Sequence, residues 1–295
     1  MSLNSNNLTF VIVTYKSEGV IIDCIKSLPK DSNIIIIENS NNPKLKQDLE
    51  GKFLNLTVFL EKNIGMGPAN NKGIKICKTD FAFVINPDVR FENDSIKKLI
   101  EFSKHKNDYA ILAPISNQIE YPNYIIKNKS IVNDKLDYLD VDTVDGFAML
   151  INKKKLDENM DVKNQNYFDE NFFMYLENDD LCKRIKDISE KIFVVPSAKI
   201  SHLGAKAVNP KYKNEIELSR NWHWMWSKFY FNKKHFGYSR AFIDGFPKYT
   251  SNIIKYLIYF LMNNKRKKEK YFNRASGFFN AAIGRTSWYR PNINI

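Results

Sequence analysis

Residues 8–15 read Leu8-Thr9-Phe10-Val11-Ile12-Val13-Thr14-Tyr15, a run dominated by apolar and β-branched side chains. Such a run suits a strand covered on both faces, because a half-exposed strand alternates apolar with polar instead. Outward from it, Val20, Ile21, Cys24, Ile25 and Leu28 recur at helical spacing over residues 17–28, and Pro29 stops the helix. Residues 33–38 predict a second buried strand, and a polar helix follows Pro43. Residues 56–60 predict a third strand, Gly65 to Lys78 a third helix, and residues 81–85 a fourth strand closed by Asn86-Pro87-Asp88. Strands that alternate with helices predict βαβ units and a mostly parallel α/β sheet flanked by helices. Open sheets of this kind bind ligands at the carboxyl ends of their strands, so the polar residues after Tyr15, Ile37 and Ile85 are the ones to read for chemistry.

Beyond residue 110 the pattern loosens. Residues 116–142 are polar without a clear period and predict a loop-rich stretch or a short hairpin excursion. Strands are expected over 143–151 and 191–195, and a helix over 177–188 with Leu181, Ile185 and Ile188 on one side. Residues 212–262 have helical, strongly aromatic character. The chain therefore divides into an α/β region, residues 1–210, and a helical C-terminal extension, residues 211–295.

Charge follows the same division. The net charge is +12, yet residues 201–295 hold 18 Lys and Arg against 4 Asp and Glu, while residues 1–200 hold 27 against 29. A uniformly basic nucleic-acid binder does not divide this way. A near-neutral catalytic region with a basic anchoring tail does. Cys24, Cys77 and Cys182 are far apart and form no CxxC or zinc-type cluster, which fits a reducing compartment. The polar N-terminal residues lack the basic and apolar parts of a signal peptide, so the expected location is cytoplasmic.

Several segments carry groups suited to chemistry. A carboxylate at Asp88, closing the fourth strand, can hold a divalent cation against a diphosphate, because hard cations prefer oxygen ligands. Asn86-Pro87-Asp88 also makes a plain turn. Glu38-Asn39-Ser40 ends the second strand and suits hydrogen bonds to a base or ribose, or a helix cap ahead of Pro43. In Asn63-Ile64-Gly65-Met66-Gly67-Pro68-Ala69-Asn70-Asn71, glycines permit close backbone approach and the following helix N-terminus favours phosphate. A bare strand-to-helix connection reads equally well there. From Phe168 to Asp180, carboxylates are pressed against aromatics, an arrangement that can raise a carboxylate pKa and keep it useful as a base. An acidic helix start complementing the helix dipole explains Asp179 and Asp180 more readily than Glu177. His202, two residues before Gly204, suits a metal or a phosphate, or a structural role.

Taken in order, Val13-Thr14-Tyr15, Glu38-Asn39-Ser40, Asn63-x-Gly65, Asn86-Pro87-Asp88, Asp145-Gly146, Phe168-Asp169-Glu170-x-Phe172-Phe173, Glu177-x-x-Asp180-Leu181-Cys182-x-Arg184 and Ser201-His202 resemble the inverting glycosyltransferases of family 2. These have the GT-A fold, and the resemblance is to the rhamnosyltransferase-like members of bacterial polysaccharide synthesis. It implies that Thr14, Tyr15 and Glu38 line a nucleotide pocket, with Asn39, Asn63, Gly65, Asn70, Asn86, Asp145 and Gly146 among the donor-binding positions. It implies that Asp88 is the surviving carboxylate of a DxD-type motif for Mg²⁺ or Mn²⁺, with His202 on metal or diphosphate. The acidic motif would supply the general base. Two departures stand out: Glu38 replaces the usual aspartate, and Asn178 stands where relatives often carry the aspartate that is the usual base candidate. An asparagine cannot take a proton, so the expected base moves to Glu177, with Asp179 and Asp180 as rivals. Asp180 also sits at i, i+4 from Arg184, the spacing of a structural pair.

The implied activity is transfer of a sugar, with inversion, from dTDP-rhamnose or a UDP-hexose to a saccharide or lipid-linked acceptor. The aromatics of residues 220–246 and the cations Lys265, Arg266, Lys267, Lys268 and Lys270 suit a membrane surface. They suit equally a helical subdomain packed on the rest of the chain or on a second subunit, and a homodimer stays open. The run Ile253–Met262, apolar except for Lys255, is about half the roughly 20 residues that cross a bilayer, so it suits lying along a membrane and not crossing one alone. Two rival classes are a nucleotidyltransferase of nucleotide-sugar synthesis and a non-catalytic polyanion-binding protein. Enzymes of the first class carry a glycine-rich basic loop directly after the first strand, and Tyr15-Lys16-Ser17-Glu18-Gly19 is not such a loop; the second is opposed by the charge split and the ordered acidic motifs.

Overall fold

The computed structural model describes residues 2–118, 122–126, 137–204 and 208–293. In chain order its elements are β1 (Leu8–Thr14), α1 (Ile21–Lys26), β2 (Asn33–Glu38), α2 (Pro43–Glu50), β3 (Leu56–Leu60), α3 (Met66–Ile76), β4 (Phe81–Ile85), β5 (Val89–Phe91) and α4 (Ser95–His105). There follow β6 (Ile111–Ser116), β7 (Tyr124–Ile125), β8 (Leu139–Asp140), β9 (Thr143–Val144), β10 (Ala148–Asn152), α5 (Lys153–Asn159), α6 (Val162–Gln165), α7 (Glu177–Asp187) and β11 (Ile192–His202). Three long helices close the chain: α8 (Lys213–Phe236), α9 (Tyr238–Leu261) and α10 (Lys265–Ala282). Two compact units result: Met1–Asp169 with Asn178–Asn209, and Glu170–Glu177 with Pro210–Ile295.

The first unit is built on one sheet in the order β3-β2-β1-β4-β10-β6-β11-β5. Its β3-β2-β1-β4 half is parallel, and β10 then runs antiparallel to both β4 and β6. The sheet is therefore mixed beyond β4, with a second parallel pair at β6 and β11. Every residue of β1 is buried, as a strand between two helical layers requires. Phe10 and Ile12 pack on one face with Ile21, Leu45 and Leu99. Val11, pointing to the other face, packs with Ile74, Leu181 and Ile185. Gly73 of α3 makes that second layer possible, since a Cβ there would stand 2.3 Å from Val11 Cγ1.

Residues 116–142 divide. Tyr124–Ile125 pairs antiparallel with Thr143–Val144, a short two-stranded excursion, and β8 adds to β11. The rest of that stretch, residues 119–121 and 127–136, lies outside the described residues. The expected strand over 143–151 is two strands, β9 and β10, separated at Asp145-Gly146-Phe147.

The second unit is a helical assembly. Gly237, at φ 86°, separates α8 from α9. Trp222, Met225, Trp226 and Phe229 of α8 pack with Ala241, Phe278 and Ala281. Gly277 lets α10 approach α8 closely, because a Cβ there would meet the Trp222 carbonyl oxygen at 2.2 Å. The aromatics of residues 220–246 thus have two fates. Trp222, Trp226 and Phe229 form the core, whereas Trp224, Phe236, Tyr238, Phe242 and Phe246 stay exposed. Among the described residues no helix is long and apolar enough to cross a membrane.

Candidate functional site

The first unit gathers its polar groups by strand register. β1, β2 and β4 are parallel and end at the same edge of the sheet, at Thr14, Glu38 and Ile85. β10 runs the other way and pairs Ala148 with Ile85, so Asp145-Gly146-Phe147 enters at that edge. The Phe147 carbonyl accepts the Asn86 N–H at 2.9 Å. β11 pairs His202 with Val89, which sets His202 beside Asp88.

Asp88 is 1% exposed, and its Oδ1 has no hydrogen-bond partner among the described residues. His202 Nε2 lies 3.4 Å from that oxygen. The imidazole stacks on Phe147, with ring centroids 4.0 Å apart, and its backbone carbonyl accepts from Gln118 Nε2. Burial raises the Asp145 carboxyl above its ordinary range, and nearby His202 opposes that rise. A buried carboxylate oxygen left without a donor is costly unless a ligand completes it. One oxygen and one imidazole nitrogen suit a divalent cation whose remaining ligands come from elsewhere. Among the described residues no group of three or more His, Cys, Asp or Glu side chains forms a self-sufficient metal cluster.

The neighbouring strand end is different. Glu38 is fully buried, and its carboxylate accepts from Ser40 N at 3.1 Å, Ser40 Oγ at 2.6 Å and Asn42 N at 2.7 Å. These bonds build the turn that enters α2, whose N-cap is Asn42. Asn39 straps the next loop: its Oδ1 accepts from Ile64 N, and its Nδ2 donates to the Gly65 carbonyl and more weakly to Asn63 Oδ1. Gly65, at φ 101°, is the N-cap of α3, a conformation a side chain would strain. Asn70 is buried within that helix, and Asn71 clamps the backbone of Phe168 through both of its amide atoms. Thr14 is fully buried, and its Oγ1, like Asp88 Oδ1, has no hydrogen-bond partner among the described residues. The N–H of Tyr15 donates to Ser17 Oγ.

The acidic segment divides between the units. Asp180 is fully buried and accepts from Arg184 Nε at 2.8 Å, and Arg184 also donates to the carbonyls of Asn166 and Tyr167. That carboxylate is a structural tie. Asn178 Nδ2 donates to the Val144 carbonyl at 3.0 Å, and the same side chain covers Gly146, where a Cβ would meet Asn178 Cβ at 3.2 Å. The residue that departs from the family pattern therefore holds α7 to the Asp145-Gly146 turn. Asp179 and Asp145 both act electrostatically on the buried thiol of Cys182, pushed up to about 12 mainly by burial.

Glu177, 9% exposed, begins α7 but belongs to the second unit. Before it, Tyr175 and Leu176 both adopt left-handed backbone, at φ 72° and 66°. Two consecutive non-glycine residues in that region are strained, and such strain persists only where surrounding contacts impose it. Within the second unit Ser227 Oγ donates to the Met174 carbonyl, Trp224 meets the Tyr175 ring edge-on, and Phe172 packs on Tyr230. His223 stacks on Phe173 and donates through Nε2 to the Tyr289 carbonyl. Its pKa, lowered by burial to about 3, keeps it neutral. Sequence reasoning did not reach these supports. Their only trace was the aromatic face of α8, which reads the same whether it meets lipid or protein.

The comparisons with known proteins agree with this architecture. The model of the family described as "Glycosyl transferase family 2" matches residues 9–184. The low-salt glycan biosynthesis hexosyltransferase Agl10 of Haloferax volcanii is 23% identical over 198 residues, covering 61% of this chain and 62% of its own length. The chain thus spans about three-fifths of that relative. Among solved structures, GalNAc-T7 with UDP, GalNAc and Mn²⁺ has a TM-score of 0.53 at 16% identity, over 75% of this chain and 52% of its own. TarS residues 1–349 of S. aureus has a TM-score of 0.51 at 16% identity, over 96% of this chain and 93% of its own. The same protein has been solved with UDP-GlcNAc, at a TM-score of 0.51, 14% identity and the same coverage. These likenesses show the GT-A fold. With the family model covering residues 9–184, more than half of the sequence, the chain belongs to glycosyl transferase family 2.

Proposed function

We propose that the chain is an inverting, metal-dependent glycosyltransferase that moves a sugar from a nucleoside diphosphate to a saccharide or lipid-linked acceptor in cell-surface polysaccharide synthesis. The observation that carries this reading is the Asp88–His202 pair. A buried, incompletely bonded carboxylate oxygen faces an imidazole at the carboxyl edge of a parallel sheet. Asp88 and His202 would hold Mg²⁺ or Mn²⁺ together with the donor diphosphate. When bound, the cation supplies charge neutralisation on the departing nucleoside diphosphate. Thr14, Tyr15 and Asn39 would line the nucleotide side, and Glu38 would act there by fixing the turn rather than by offering a free oxygen. Asn63, Gly65, Asn70, Asn86, Asp145 and Gly146 would frame the donor.

Glu177 is the proposed base. It takes the proton from the acceptor hydroxyl as that oxygen forms a bond to the anomeric carbon. The bond from that carbon to the diphosphate oxygen breaks with its electron pair leaving on the diphosphate, so the anomeric centre inverts in one step. The donor is proposed to be dTDP-rhamnose or a UDP-hexose. The uridine nucleotides bound by GalNAc-T7 and TarS make UDP the first to test. The C-terminal helical region is proposed to rest on the cytoplasmic face of a membrane, where a lipid-linked acceptor would be met.

Calorimetry with UDP, dTDP and GDP, each with and without Mn²⁺, tests the catalytic reading. Wild-type protein and Glu177→Gln should both bind one nucleotide in a metal-dependent way, while only the wild type turns over. Turnover by Glu177→Gln at the wild-type rate would remove Glu177 as the base. Failure of every nucleotide to bind would remove the donor-binding reading.

A further inference from the structure

We infer that the turn joining α9 to α10 is a wedge that inserts into a bilayer containing anionic phospholipid. This deepens the membrane contact proposed above and rests on it, not on the catalytic assignment.

The sequence pointed to the aromatics of residues 220–246, to the apolar run Ile253–Met262 and to the cations of 265–270, and the structure draws Trp222, Trp226 and Phe229 of the first group into the helical core. Trp224, Phe236, Tyr238, Phe242 and Phe246 remain exposed, and a second exposed apolar surface stands at the far end of α9. Ile254, Leu257, Ile258 and Leu261 follow one stripe of α9 at spacings of three and four, and all are exposed. Phe260 and Met262 widen that stripe at the helix end, where Leu261 is 83% and Met262 65% exposed. The turn is a built feature. Asn263 adopts left-handed backbone at φ 50°, the usual way to end a helix sharply, and Asn264 Oδ1 caps α10 by accepting from Lys267 N.

Cations surround this apolar tip. Lys267 lies over the Tyr259 ring, Lys268 over Phe260 and Lys255 over Tyr271, with ammonium-to-centroid distances of 4.9, 5.6 and 5.4 Å. Arg266 and Lys270 are paired with Glu217. Among the described residues, Lys265, Lys267 and Lys268 pair with no carboxylate. An apolar end encircled by unpaired ammonium groups matches the two layers of an anionic leaflet, acyl chains beneath phosphates. A second copy joined tip to tip would set the same cations against each other. α9 is not long and apolar enough to cross a bilayer, so it would lie at the interface with its end dipped in.

Vesicle flotation of the full chain tests this, with phosphatidylcholine alone or with 30% phosphatidylserine (roughly the anionic load that draws polybasic segments), at low and high salt. Three variants are compared with the wild type: Phe260→Ser with Leu261→Ser, the triple Lys265→Gln, Lys267→Gln and Lys268→Gln, and Leu261→Cys. The native cysteines are all buried, so a polarity-sensitive dye on Leu261→Cys reports the tip alone. Wild-type protein should bind the anionic vesicles in a salt-sensitive way, and the dye should shift blue on binding. The lysine triple should weaken binding on the order of a hundredfold, at about fivefold for each lysine. The Ser pair should abolish insertion. Nucleotide binding should be unchanged in every variant. Absence of wild-type binding would overturn both the wedge and the membrane reading. Wild-type binding that the tip variants leave intact would overturn the wedge alone. Loss of a dimer in the Ser pair, with no lipid binding by the wild type, would assign the tip to self-association instead.

Discussion

Two neighbouring strand ends each bury a carboxylate, and they treat it in opposite ways. After β2, Glu38 receives three hydrogen bonds from Ser40 and Asn42 and is consumed by its own turn. After β4, Asp88 is equally buried, but Oδ1 lacks a hydrogen bond and faces His202 Nε2 at 3.4 Å. Burial of a charge is expensive unless its lone pairs are met. The first carboxylate meets that demand within the chain. The second leaves part of it for a ligand. Hydrogen-bond completion, not burial or position at the sheet edge, separates a structural carboxylate from a candidate ligand-binding one.

The sharpest way to break this comparison is Asp88→Asn, which keeps size and removes charge. Metal-dependent nucleotide binding and turnover should fall roughly a thousandfold, taking several kcal/mol for the charge stabilisation a metal supplies. Melting temperature should hardly change, because Oδ1 has no hydrogen bond to lose. A variant that binds nucleotide and metal like the wild type would remove Asp88 from the site. Next comes Glu38→Gln, which removes the charge from three charge-assisted hydrogen bonds and forces the Ser40 hydroxyl to accept where it donated. It should cost about 2–3 kcal/mol in urea unfolding and leave nucleotide affinity nearly intact. Unchanged stability with lost affinity would reverse the contrast and make Glu38 a ligand-contacting group. The smallest effect is expected for Asn178→Asp, which restores the residue common in relatives. Its carboxylate cannot donate to the Val144 carbonyl, so stability should drop by about 1–2 kcal/mol without any gain in turnover. A rise in turnover would show that position 178 carries catalytic capacity and that the Val144 contact is incidental.

Much of the first unit was legible beforehand, because its signals are local. The strands at 33–38, 56–60 and 81–85 are found where their apolar runs stand, and α7 begins at Glu177 as its periodicity suggests. Asp180 and Arg184 pair as their i, i+4 spacing predicts. Other features were out of reach for stated reasons. The shift from parallel to antiparallel pairing at β10 depends on which strand β10 meets, not on its own residues. Likewise the expected strand over 143–151 breaks at Asp145-Gly146-Phe147, where Asn178 covers Gly146 from a distant helix. The C-terminal extension was expected to be helical, but its lysine-rich start gave no sign that Ala275, Phe278 and Ala281 of α10 form a buried face against α8.

The contrast is clearest around Glu177. The residues Phe172-Phe173-Met174-Tyr175-Leu176-Glu177 announced an unusual segment by composition alone. Around the left-handed Tyr175 and Leu176, the contacts to Met174, Tyr175 and Phe173 come from Ser227, Trp224 and His223, some fifty residues later. By itself the sequence determined which segments become strands and helices and which polar residues fall at strand ends, since periodicity and turn chemistry act over a few neighbours. Only the tertiary structure decided which of those polar groups are satisfied, which is left open beside His202, and which aromatics are core rather than surface. Those outcomes depend on partners brought together from across the chain, and a buried group's role is set by whether such a partner arrives.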